Sequence, residues 1–169
     1  MLLKKKGISF SLMALLLIAL DQLTKGLAKS SLSSGREIPI LPHILELLYV
    51  QNEGAAFGVL SGQRMLFFII TVLVLSVIVC LIRRLPEKRR YFPLFLSSLL
   101  IFSGAIGNFI DRMRNGYVVD FIYFMPINFP VFNVADIYVT SGCALMIYLF
   151  LFVYRDEDFH FLRRKKGGK

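Results

Sequence analysis

Histidine, cysteine and acidic side chains are all scarce in this chain, and each scarcity excludes something. The 169 residues hold two histidines, two cysteines and 11 Asp plus Glu against 20 Lys plus Arg. His43 and His160 fall in separate polar segments, so a zinc site is not expected. Cys80 and Cys143 lie inside apolar runs, without metal-ligand or disulfide-framework spacing, and read as small buried apolar residues. There is no G-x-S-x-G, no H-E-x-x-H and no phosphate-binding glycine loop. The net charge of +9 does not point to nucleic acid, because the basic residues cluster in short runs beside apolar segments. No small-x-small cleavage site and no Leu-x-x-Cys pattern follows the first apolar run, so that run is expected to stay in place as a span.

Apolar residues are what the chain has in quantity. They make up 56% of the sequence, more than one small soluble core can bury. The predicted fold class is all-α integral membrane: one domain, four transmembrane helices and a small extracytoplasmic β-containing lobe. The spans are expected at about 8–28, 65–82, 91–112 and 135–154, each near the length that crosses a bilayer. The lobe is residues 29–64, where prolines 39 and 42 and several glycines punctuate ILELLYV and AAFGVL, pieces of strand length. Leu47, Leu48, Val50 and Phe57 are candidates to dip into the interface. Residues 112–134 are read as a loop, since Pro126 and Pro130 exclude regular helix. Residues 83–90 form a short basic loop, and the tail 155–169 is read as charged and partly disordered.

Four spans put both termini on one side. Fourteen basic residues fall on that side and six on the other, which places the termini in the cytoplasm and the lobe outside. Asp21, Asp111, Asp120 and Asp136 then share one depth, at the external surface. Acids at that depth are costly and imply function.

The stretch 104–136 gathers three of them. Asn108, Asp111 and Arg112 share one side of a helix end. Asp111 and Arg112 also fit a plain interfacial ion pair. Asn133 is a candidate N-cap with Asp136 in the first turn, where an acid also serves simply as a cap. Asp120 sits inside GYVVDFIYF and is expected to be partly buried, either in a site or paired with Arg112 or Arg114. Asp21 and Lys25 are i and i+4, the spacing of a helix-terminal ion pair. Asn52 in QNEGAAFG is either a turn asparagine or a hydrogen-bonding partner for an extended substrate. Two carboxylates in a partly dry pocket share a proton, so one activates water while the other donates. That is the apparatus of an aspartic peptidase, and it requires no metal or other cofactor. A proton-coupled transporter and a non-catalytic membrane assembly factor are the competing readings. The first puts acids near mid-membrane, and the second leaves Asp120 and Asp136 apart or paired with arginines.

DQLTK (21–25), NEGAAFG (52–58), GAIGNFIDR (104–112), GYVVDF (116–121) and FNVADI (132–137) resemble, in order, the blocks of the bacterial lipoprotein signal peptidases, the signal peptidase II family. The match departs at Ile137–Tyr138, where a serine is expected. Spacing alone does not choose Asp120 over Asp111; the resemblance does. It implies Asp120 and Asp136 as catalytic residues, with Asp21, Lys25, Asn52, Gly54, Asn108, Asp111, Arg112 and Asn133 in support. It further implies that the substrates are prolipoprotein signal peptides carrying a diacylglyceryl cysteine, cut just before that cysteine. Membrane lipids are the other expected partner, nucleic acid is not one, and a monomer suffices. The expected location is the bacterial cytoplasmic membrane, with the site on its outer face.

Overall fold

The computed structural model describes residues 6–54 and 64–162. Among the described residues, four helices are long and apolar enough to cross a membrane. Helix α1 is Lys6–Leu32, α2 Arg64–Arg84, α3 Phe92–Asn115 and α4 Val134–Tyr148. A wider π turn, Leu149–Val153, prolongs α4. The 21 residues of α2 rise about 31 Å, enough for the hydrocarbon layer. Helix α3 is the centre of the bundle: α1, α2 and α4 all pack on it, and α1 and α2 barely touch each other. Leu94, Phe95 and Leu99 of α3 are completely or almost completely buried, while α1, α2 and α4 show many large apolar side chains outward. Outward-facing Leu and Ile are stable here because the surrounding solvent is lipid.

The helix ends follow local chemistry. Pro93 enters α3 in its first turn, where its missing N–H costs nothing. Gly116 ends α3 at φ 84°, a left-handed conformation that glycine tolerates. Its N–H donates to the Arg112 carbonyl at 3.1 Å.

Three strands form an antiparallel sheet at one end of the bundle. Strand β1 is Ile38–Leu41, β2 Leu45–Asn52 and β3 Val118–Phe124, in the order β1-β2-β3. Strand β3 corrects the expectation of a loop over the whole of 112–134. Alternation of Val118, Asp120 and Ile122 with Val119, Phe121 and Tyr123 carries its strand pattern. The prolines lie beyond it, where Met125–Ile127 makes one 3₁₀ turn. Helices α1 and α3 also run further than expected, so residues 29–32 belong to α1 and 113–115 to α3. The tail is ordered over Asp156–Leu162 as 3₁₀ turns. Phe159 and Phe161 pack on the core, and Asp158 receives Arg90 Nη2 at 2.6 Å. Cys80 faces outward and Cys143 is half-buried, so neither is the core residue expected. Leu47, Leu48 and Val50 are half-buried in the sheet. AAFGVL and Phe57 lie outside the described residues.

Candidate active site

A bulge in β2 decides which side chains meet. Leu47 pairs with Ile122, but Val50 pairs with Asp120, so β2 spends one residue more than β3 between these points. The extra residue flips the following side chains to the other face. Asn52 therefore shares a face with Asp120, and its Nδ2 donates to Asp120 Oδ2 at 2.8 Å.

The segment after β3 folds back on the strand. Phe132 N donates to the Ile122 carbonyl at 3.0 Å, and Ile122 N to the Phe132 carbonyl at 2.8 Å. This return sets Asn133 beside Asp120, where Asn133 Nδ2 donates to Asp120 Oδ1 at 2.6 Å. Asn133 also caps α4. Its side-chain oxygen receives Asp136 N at 3.0 Å, and its own N–H donates to Asp136 Oδ2 at 3.1 Å. This reciprocal capping box fixes the Asp136 carboxyl at the helix N-terminus. The other Asp136 oxygen receives Asn108 Nδ2 at 2.8 Å. Asn108 Oδ1 in turn receives Lys25 Nζ at 2.8 Å and Asn133 Nδ2 at 3.2 Å, which orients its amide.

Beneath this layer lies a buried ionic cluster. Lys25 Nζ sits 2.9 Å from Asp21 and 3.3 Å from Asp111. Asp21 is wholly buried and accepts Ala135 N at 2.9 Å, tying α1 to the first turn of α4. Asp111 accepts Val119 N at 3.1 Å, tying α3 to β3. The Asp21–Lys25 pairing is present, and Asp111 pairs with Lys25 instead of Arg112. Gln22 completes the cluster, donating to Asp111 at 3.1 Å and to Asp21 and the Gly107 carbonyl at 3.2 Å each. Gln22 was not singled out in the sequence; its place inside the DQLTK block was the available signal.

A cavity of about 520 Å³ opens above the cluster. Asn52, Gly54, Asn108, Arg112, Asp120 and Asp136 line it together with an apolar wall of Phe67, Phe129, Pro130, Phe132 and Ile137. Asp21, Lys25, Asp111 and Asn133 do not line it and hold those that do. Arg112 pairs with neither aspartate. Its Nη2 donates to the Gly54 carbonyl at 3.0 Å, and its guanidinium lies 4.5 Å from the Phe67 ring centre. Asp120 is 2% exposed. Burial pushes its carboxyl up to about 6, the nearby Asp136 charge adds to the rise, and the Asn52 and Asn133 donors oppose it.

A family model described as signal peptidase (SPase) II matches residues 13–152. The chain belongs to the signal peptidase II family. It is 42% identical over 150 residues to the lipoprotein signal peptidase of Streptococcus pyogenes serotype M5 (strain Manfredo), covering 89% of this chain and 95% of that one. The serotype M3 (strain SSI-1) protein of the same name is 41% identical over the same shares. Two solved structures of a bacterial membrane enzyme, obtained by the in meso method, share the fold. The one at 2.3 Å resolution has a TM-score of 0.76 and 34% identity, covering 95% of this chain and 94% of that. The one at 1.9 Å has 0.74 and 35%, covering 86% and 94%. Membership in the family makes the chain a membrane peptidase.

Proposed function

We propose that this chain is an aspartic endopeptidase that removes signal peptides from diacylglyceryl-modified prolipoproteins, cutting before the lipidated cysteine. The observation that carries the reading is the shared cavity. Asp120 and Asp136 face one space, Asp120 is inclined to hold a proton, and among the described residues no arginine forms an ion pair with either.

In this reading Asp136 is the base. It takes a proton from a water whose oxygen attacks the scissile carbonyl carbon, while protonated Asp120 donates to the carbonyl oxygen. The resulting gem-diol collapses as Asp120 recovers a hydroxyl proton, Asp136 passes its proton to the amine nitrogen and the C–N bond breaks. Because the two acids interact, apparent pKa values of the reaction belong to the pair. The apolar wall suits the small apolar residues and lipid chains around the cut bond. Arg112, tethered to the Gly54 carbonyl, holds the edge of the sheet against the mouth of the cavity. The basic bias puts both termini in the cytoplasm and the cavity on the outer face of the cytoplasmic membrane. All the groups in this scheme come from one chain, so a monomer suffices.

The test is cleavage of a purified diacylglyceryl-modified prolipoprotein. Asp120→Asn and Asp136→Asn should each lower the rate at least about 10³-fold, while membrane insertion is unchanged. Near-normal cleavage by either variant refutes the scheme.

A further inference from the structure

At the end of the bundle opposite the sheet, a groove of about 380 Å³ lies between α1 and α2. Phe10, Ala14 and Ile18 of α1, Val79 and Ile82 of α2, and Phe102 of α3 give it an apolar surface. The groove begins at Gly7, where an added Cβ would meet nothing within 4 Å among the described residues. From Gly7 to Ile18 it runs about 16 Å along α1, close to the depth of one leaflet of an about 30 Å hydrocarbon layer.

The mouth of the groove is basic. Arg83 lines it and is exposed, and among the described residues no carboxylate pairs with it. Lys6 stands next to Gly7 and donates from Nζ to the Leu85 carbonyl, bridging the ends of α1 and α2. An apolar slot one leaflet deep, with a guanidinium at its polar end that no carboxylate among the described residues pairs, matches one kind of occupant in both shape and charge.

We propose that this groove seats an acyl chain of an anionic phospholipid whose headgroup phosphate is held by Arg83. The lipid fills the space that α1 and α2 leave between them and so braces α2 against the bundle. The proposal needs the membrane fold and not the peptidase reading, so cleavage is not its readout.

Lipid retained by the detergent-washed protein is counted by native mass spectrometry after reconstitution in equal phosphatidylglycerol and phosphatidylcholine. Wild type should retain one phosphatidylglycerol per chain in preference to phosphatidylcholine. Arg83→Gln should lower phosphatidylglycerol retention about fivefold and leave phosphatidylcholine unchanged. Ser11→Phe, from an exposed position on the groove, should expel both. Equal retention of the two lipids by wild type, or no effect of Arg83→Gln, overturns the proposal. So does recovery of a lipid-free dimer that cross-links through Ser11→Cys, which would make the groove a protein interface. Wild type alone keeps the question open to refutation if a variant misfolds: titrating phosphatidylglycerol into phosphatidylcholine nanodiscs should raise the melting temperature saturably. A linear, unsaturated rise overturns the proposal as well.

Discussion

Asp120 is the residue whose surroundings conflict most with its charge. Its carboxyl is pushed up to about 6 from the model-peptide value of 3.8. A raised carboxylate pKa means the folded chain binds the proton more tightly than the unfolded chain. Its stabilising contribution is therefore complete below about pH 4, falls as pH rises toward 6 and is gone above about 7, a loss of about 3 kcal/mol. The stability difference between wild type and Asp120→Asn should fall across that window and level off above it. Thermal unfolding in detergent from pH 4 to 8 measures this, and a difference that grows with pH would contradict the burial argument. Asn133 carries three jobs with one side chain: it caps α4, holds Asp120 and contacts Asn108. Asn133→Ala should cost about 2–4 kcal/mol, the sum of a lost cap and a buried carboxylate oxygen without its donor. A loss under about 1 kcal/mol in chemical denaturation would mean that water replaces the amide. The sequence displayed these residues as types at suggestive spacings. It did not show that Asp111 turns to Lys25 and not Arg112, because that choice depends on where α1 lies across α3.

At the scale of elements, the helices were legible and the sheet was legible only in part. A run such as MLFFIITVLVLSVIVCLI has one stable outcome in lipid. Strand β3 is a different case, because its identity depends on a partner sixty-six or more residues away and on the β2 bulge that sets the register. Prolines 126 and 130 also drew attention to the irregular part of that segment and away from the strand before them. The tail looked partly disordered by composition, yet within its described part Phe159 and Phe161 find the core and Asp158, held down to about 2 by Arg90, anchors its turns. Glycine substitutions separate tight helix crossings from open faces. A Cβ on Gly107 would collide with the Asp21 carboxylate, whereas one on Gly26 would meet nothing within 4 Å. Gly107→Ala should cost about 1–3 kcal/mol by overpacking and should also impair cleavage, since Asp21 must leave the Ala135 N–H. Gly26→Ala should be neutral or stabilise by up to about 1 kcal/mol through helix propensity. Equal effects of the two in thermal unfolding would count against the α1–α3 contact described here.

For the molecule as a whole, the buried cluster makes three helices and the sheet one unit. Lys25 compensates two carboxylates, and through them α1 is bonded to α4 and α3 to β3. Lys25→Met would strand two buried negative charges at a cost of about 3–5 kcal/mol, so the cavity above should lose its shape before the bundle unfolds. Which way the whole molecule faces is a matter of its flanking charges. The sheet and cavity stand at one end of the bundle, and in the sequence fourteen basic residues flank the spans on the side of the termini against six on the side of the sheet. A charge bias of that size fixes orientation during insertion, so the cavity should face out. Asn128, exposed next to the cavity-lining Phe129, and Glu87, exposed between α2 and α3, report on the two faces. On intact cells Asn128→Cys should react with a membrane-impermeant maleimide and Glu87→Cys should react only after lysis. Cys80 and Cys143 lie within spans and contribute little background. The opposite labelling pattern would put the two aspartates in the cytosol, on the wrong side for a signal peptide that has already crossed.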